Sequence, residues 1–139
     1  MPGARYLADT SVFARLTRPA VSSAFAPLAA AGRVVLCPPV AFEVGYAARS
    51  PSDYREVERR LLTFPQVPIT DADHRRALET QAALSARSQH RALSLVNALV
   101  AAAAEARDLV ILHYDAHFEL VSAITGQPHE WVVARGTAD

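Results

Sequence analysis

Asp9, Glu43, Asn97 and Asp115 interrupt stretches that are otherwise apolar. Asp9 closes the run Tyr6-Leu7-Ala8, and Asp115 stands three residues after Leu109-Val110-Ile111-Leu112. Glu43 lies inside Val40-Ala41-Phe42-Glu43-Val44-Gly45, and Asn97 follows Ser94 at the head of a long apolar segment. Each has a plain structural reading. Asp9 and Asp115 suit helix caps, Asn97 a capping-box partner of Ser94, and Glu43 a buried acid paired with an arginine. Taken together they suggest chemistry, because strand ends and helix starts converge on one edge of a doubly wound sheet. At about 5 Å and an effective dielectric near 20, each pair of like charges costs roughly 3 kcal/mol. Three carboxylates in one pocket therefore need a cation or protons. An oxygen-only donor set without cysteine favours Mg²⁺ or Mn²⁺ over zinc, and such an ion leaves room for water and phosphate oxygens. Phosphoryl transfer or phosphodiester hydrolysis is the chemistry that follows.

The elements that must position these groups alternate between short apolar runs and helical patterns. Residues 5–9 read as a first strand, 11–18 as a short helix, and Val21 to Ala31 as a second helix that Gly32 stops. Val34 to Cys37 is a continuous apolar strand, and Pro38-Pro39 opens a helix ending near Arg49. Ser50-Pro51-Ser52 reads as a turn, followed by an amphipathic helix from Tyr54 to Phe64 with a solvated charged face. Gln66 to Ile69 is a connection or short edge strand, and Thr70 or Asp71 caps a helix through Arg87. Ser94 caps Leu95 to Ala106, which is apolar enough to require burial. Leu109 to Leu112 is a further strand, Asp115 opens a helix to Ile124, Gly126 stops it, and Trp131 to Val133 is the last strand. The expectation is an α/β fold: a three-layer sandwich with a central, mostly parallel sheet, forming one domain over residues 1–139.

Composition narrows the class. Apolar residues make up 51% and charged residues 20% of 139 residues, which suits a packed domain and excludes disorder. No run approaches the length of a membrane span and no signal peptide is visible, so a cytoplasmic location is expected. The single Cys37 reads as a small core residue. The net charge is zero, so any nucleic-acid contact must come from a local arrangement. All 14 basic residues are arginine. With no lysine, a phospho-acceptor receiver is excluded, and Ser11 stands where a haloacid-type phosphatase needs its second aspartate. No glycine-rich loop ending in Gly-Lys is present.

The order Leu7-Ala8-Asp9-Thr10-Ser11, Pro39-Val40-Ala41-Phe42-Glu43-Val44, His90-Arg91, Ser94-Leu95-Val96-Asn97-Ala98-Leu99-Val100, His113-Tyr114-Asp115-Ala116-His117-Phe118-Glu119 and Thr125-Gly126-Gln127-Pro128-His129-Glu130-Trp131 resembles a PIN domain. It is most similar to the VapC-type ribonuclease toxins of bacterial type II toxin–antitoxin systems, over essentially the whole chain. The resemblance implies a Mg²⁺- or Mn²⁺-dependent endoribonuclease acting on RNA such as tRNA or rRNA, restrained by a cognate VapB-type antitoxin and forming a homodimer. It makes Asp9, Glu43, Asn97 and Asp115 the catalytic and metal-binding set. Thr10 and Ser11 would hold ligands or the scissile phosphate, and Arg15, Arg18, Arg91 and His117 are candidates for RNA contacts. Single-stranded or loop RNA suits such a site because its bases are accessible.

Two positions depart from the pattern. Asn97 stands where the family usually has an aspartate, so a donor without charge replaces an acid and activity is expected to be weakened or lost. His117 stands where another aspartate is frequent. A competing expectation follows from Asn97: a catalytically impaired PIN domain that serves as an antitoxin- or RNA-binding module. Its docking surface would be Val12, Phe13, Leu16, Val21, Phe25 and Leu28, with the Tyr54–Phe64 helix nearby.

Overall fold

The computed structural model describes residues 5–139. Its centre is a sheet of four parallel strands in the order β2-β1-β3-β4, with β1 at Tyr6–Ala8, β2 at Val34–Val35, β3 at Val110–His113 and β4 at His129–Trp131. Alternate residues of the strands face two different cores, as a period of two requires. Tyr6, Ala8, Val34 and Leu112 join Val12, Val21, Phe25 and Leu61 on one side. Leu7, Val35 and Ile111 join Val40, Val100, Ala104, Phe118 and Val121 on the other. The expected three-layer α/β sandwich is thus what the chain builds.

The helices are α1 (Thr10–Phe13), α2 (Pro19–Ala30), α3 (Pro38–Tyr46), α4 (Pro51–Leu61), α5 (Asp71–Ser85), α6 (Leu95–Ala106) and α7 (His117–Thr125). Helix α6 is the central one. Residues 97–104 are buried without interruption, and within that run Asn97 is the polar member. Ser94 caps the helix by accepting the Asn97 N–H at 3.1 Å. Among the described residues no helix is long and apolar enough to cross a membrane.

Several boundaries differ from the sequence reading for local reasons. The first strand stops at Ala8, because Asp9 is the N-cap of α1. The helix expected over 11–18 closes at Phe13 and continues as turns with i to i+3 bonds, and Arg18 is extended ahead of Pro19. Ser50-Pro51-Ser52 is a helix start and not a turn, since Ser50 accepts the Asp53 N–H and Pro51 occupies the first helical position. Gln66 makes a single parallel bridge with Leu36. The last strand begins two residues early, at His129, because its register is set by the pairing of Ile111 with His129.

Candidate active site

The carboxyl edge of the sheet brings together residues from four separate elements. Asp9 follows β1, Asp115 follows β3, Asn97 lies in the first turn of α6, and Glu43 is on α3. Two hydrogen bonds lock the two central strand ends together. The Asp9 N–H donates to the Leu112 carbonyl at 2.9 Å, and the Tyr114 N–H donates to the Ser11 hydroxyl oxygen at 2.8 Å.

Asp9 is 2% exposed. Its Oδ2 accepts the Ser11 N–H at 3.0 Å, while Oδ1 is buried without a hydrogen-bond partner. An orphaned carboxylate oxygen is expensive in an interior, so this atom is the least satisfied polar group of the site. Burial pushes the Asp9 carboxyl above its ordinary pKa; the Ser11 hydrogen bonds oppose this, and the nearby charge of Asp115 adds to it.

Asp115 has a different environment. Its Oδ2 accepts from Asn97 Nδ2 at 3.1 Å, and its Oδ1 accepts the His117 N–H at 2.9 Å. His117 Nδ1 lies 3.1 Å from the same Oδ1, on a side chain half exposed to solvent. The Asp115 N–H donates to Nδ1 of the fully buried His113 at 3.0 Å. With Nδ1 accepting, His113 carries its proton on Nε2 and donates to His129 Nδ1 at 2.8 Å. Burial, with His129 adding to it, pushes His113 down to about 4, so it is neutral at physiological pH.

Glu43 accepts from the Thr10 hydroxyl at 2.6 Å. Among the described residues, no three histidine, cysteine, aspartate or glutamate side chains gather closely enough to hold a metal ion. The geometry is therefore a pair, Asp9 and Asp115, close enough for each charge to be felt, with the Asn97 amide on Asp115 and Glu43 tied to Thr10, the residue next to Asp9. The bare Oδ1 of Asp9 and this all-oxygen donor set fit a hard cation.

The remaining predicted residues divide clearly. Thr10 and Ser11 are at the site. Arg15 donates to the Ser11 and Ala138 carbonyls and lies 4.7 Å over the Tyr114 ring. Arg18 bonds the main-chain oxygen of Asp139, and Arg91 is exposed on the 3-10 turn His90–Ala92. The proposed docking residues Val12, Val21 and Phe25 are 0%, 0% and 5% exposed. They are core, with the Phe25 ring packed on Phe13 and Phe64, and present no surface. Phe13 and Leu16 instead line an apolar groove of about 330 Å³ with Val44, Ala47, Val57 and Leu61, bordered by Thr10 and Glu43. Leu28 is half-buried against the core. Sequence reasoning missed the His113–His129 pair and the Tyr114, Trp131 and Arg135 side chains. Their signal was weak: aromatic and basic residues around the last strand read equally well as core and solvated surface.

Comparison with known proteins identifies the family and the fold. Residues 6–124 match the family described as PIN domain. Ribonuclease VapC51 of Mycobacterium tuberculosis is 47% identical over 135 residues, covering 97% of this chain and 98% of that protein. Ribonuclease VapC21 of the same species is 39% identical over 137 residues, covering 96% and 98%. Among solved structures, DNA-bound VapBC from Salmonella typhimurium superposes with a TM-score of 0.74 at 16% identity, covering 94% of this chain and all of that one (100%). FitAcB from Neisseria gonorrhoeae gives 0.73 at 15% identity, covering 91% and 97%.

Proposed function

The chain belongs to the PIN-domain family, among the VapC-type toxin ribonucleases, and on that premise we propose that it is a single-domain endoribonuclease dependent on Mg²⁺ or Mn²⁺. The observation that carries this reading is the buried Asp9 carboxylate, which has one oxygen without a partner and feels the charge of Asp115 on the edge where the strands end. Asp9, Asp115 and the Asn97 amide oxygen would hold the ion, with Glu43 reached through Thr10. When bound, the ion supplies charge neutralisation and Lewis-acid activation to phosphodiester hydrolysis. The Asp115 carboxylate is aimed by the Asn97 amide and the His117 N–H, and the Asp115 backbone is anchored by its own N–H on His113 Nδ1, so the group is fixed before substrate arrives. Thr10 orients Glu43, and Ser11 fixes the turn after β3.

The partner reading is a cognate VapB-type antitoxin whose apolar segment lies in the groove lined by Phe13, Leu16, Val44 and Val57. The groove ends at the Thr10–Glu43 pair, so an occupant abuts the acids. Phe42, Tyr46 and Leu62, which are 77%, 85% and 80% exposed, add exposed apolar surface on α3 and at the end of α4. The proposal includes a homodimer, action in the cytoplasm, and tRNA or rRNA as substrate. A second reading has its own support. Asn97 Nδ2 already occupies Oδ2 of Asp115, which weakens the attraction of the site for a cation and favours a binding module of low activity. Cleavage of a structured RNA in Mn²⁺ against EDTA, with calorimetric titration of Mn²⁺, separates the two. Metal-dependent cutting supports the nuclease. Absence of both cutting and heat leaves the binding module standing.

A further inference from the structure

A cavity of about 420 Å³ opens beside Asp115 and Ser11, walled by Arg15, Trp131, Arg135 and Asp139. Its volume lies in the range of small-ligand sites. Its chemistry is unlike that of the apolar groove: two guanidinium groups and an indole ring meet there beside Asp115 and Asp139, the latter's Oδ1 already taken by the Tyr114 hydroxyl. Both hydrogen bonds of Arg15 go to main-chain carbonyls and not to a carboxylate, and its guanidinium is stacked on Tyr114. Arg135 lies 5.5 Å over the Trp131 ring and pairs with Glu119 at 2.7 Å, on side chains 65% and 44% exposed. An ion pair that exposed is weak and is readily exchanged for a phosphate.

The wall of the cavity is also built in advance. The Tyr114 hydroxyl accepts the Gly136 and Ala138 N–H groups at 2.8 and 2.9 Å and donates to Asp139 Oδ1 at 2.8 Å. One phenol thereby holds residues 136–139 against the turn that carries Asp115. Trp131 is held edge-on to Tyr114 at 5.1 Å and against His113 at 5.0 Å. A rigid ring covered by one exchangeable guanidinium is an arrangement in which an unpaired base can take the ring face while the cation turns to the adjoining phosphate.

We infer that this cavity is a subsite for one nucleotide of single-stranded RNA next to the scissile phosphate, with Trp131 stacking the base and Arg15 and Arg135 holding its phosphate. The inference rests on the nuclease reading for its substrate class, and its test does not depend on cleavage. Trp131 is the only tryptophan of the protein, so its fluorescence reports occupancy of this cavity directly. The probe is a ten-nucleotide single-stranded RNA of mixed sequence, titrated in EDTA.

The expected result is quenching by RNA that saturates. Arg135→Ala, a change on the exposed surface, should weaken the RNA about threefold or more and lower the salt slope by about 1. Followed by anisotropy of labelled RNA, Trp131→Ala should cost about 5- to 150-fold, and Trp131→Phe should recover most of it. The Phe variant also guards against loss of fold. RNA cleaved in Mn²⁺ without quenching, or with affinity indifferent to Arg135→Ala and Trp131→Ala, overturns the subsite and leaves the nuclease standing. Quenching that depends on Arg135 in a protein unable to cut RNA supports the subsite while the nuclease reading falls. Equal quenching by pyrophosphate or by a polyglutamate peptide shows that charge alone, or a protein partner, is what the cavity takes, and overturns it.

Discussion

Asp9 and Asp73 are equally buried, each 2% exposed, and yet they are opposites. Asp73 opens α5 as half of a capping box: its Oδ2 accepts the Thr70 N–H at 2.9 Å while its own N–H donates to the Thr70 hydroxyl. Arg107 from α6 reaches the same carboxylate at 3.3 Å and anchors itself on the Ala103 and Pro68 carbonyls. Burial alone would raise the Asp73 carboxyl, but the Thr70 and Arg107 contacts more than offset it and hold it below the usual carboxylate range. Asp9 has one hydrogen-bonded oxygen, one bare oxygen, a carboxylate neighbour and a raised pKa. The same residue type at the same depth thus has both oxygens partnered in one place and one left open in the other. Pairing α5 to α6 through Asp73 also steadies the helix whose first turn carries Asn97.

The largest expected effect breaks the open member of the comparison. Asp9→Asn should cut metal-dependent RNA cleavage at least about a hundredfold. The same change should raise the melting temperature in EDTA by a few degrees, because a buried carboxylate with a raised pKa costs stability once the pH rises above it. Activity assays and thermal melts on one preparation check both, and a lower melting point would deny that the site is strained. The satisfied member should behave in reverse. Asp73→Ala should lose about 2–3 kcal/mol by denaturant titration, through the lost cap and the stranded Arg107. Its cleavage rate per folded molecule should be almost unchanged.

How much of this was legible in the sequence depended on whether a residue acts through its neighbours in the chain or across the sheet. The continuous runs at Val34–Val35 and Val110–His113 and the buried α6 declared a parallel sandwich through period and composition alone. Asp9, Asn97 and Asp115 could be picked out because a polar residue at the end of an apolar element is conspicuous. Val12 and Phe25 fitted both a docking surface and the core, since an apolar residue on a helix looks the same whether it faces a partner or the interior, and burial decides for the core. The Trp131 cavity was invisible, because it is assembled from Ser11, Tyr114 and Asp139, which no local pattern connects. His113 could not be told from packing until His129 was seen 2.8 Å away.

That histidine gives the next, smaller effect. A base whose folded pKa is lowered to about 4 contributes stability that is fully present above its ordinary value of 6.5 and is lost as pH falls through the folded value. Unfolding free energy measured in EDTA should therefore decline by up to about 1 kcal/mol per pH unit between 6.5 and 4 from this group. His113→Gln should flatten that part of the profile, with the comparison of slopes as the readout. A profile unchanged by the substitution would mean that other groups carry the acid sensitivity.

The last effect, small once side chains relax and protons bind, sharpens the contrast at its centre, because the Asn97 amide occupies one oxygen of Asp115. Its Nδ2 gives Asp115 the kind of answer that Arg107 gives Asp73, without the charge. Asn97→Asp would remove that donor and set a third carboxylate against two, at roughly 3 kcal/mol per close pair before side chains relax and protons bind. In EDTA the variant should therefore melt lower than the parent. With Mn²⁺ the order should close or invert, since a ligand that binds only the folded state stabilises in proportion to its affinity. Calorimetry should find Mn²⁺ bound about tenfold more tightly, and structured RNA should be cut faster. Equal melting points in EDTA would show that position 97 does not sense the charge of Asp115. A lower melting point in EDTA without any gain in Mn²⁺ affinity would place the ion elsewhere on this edge of the sheet.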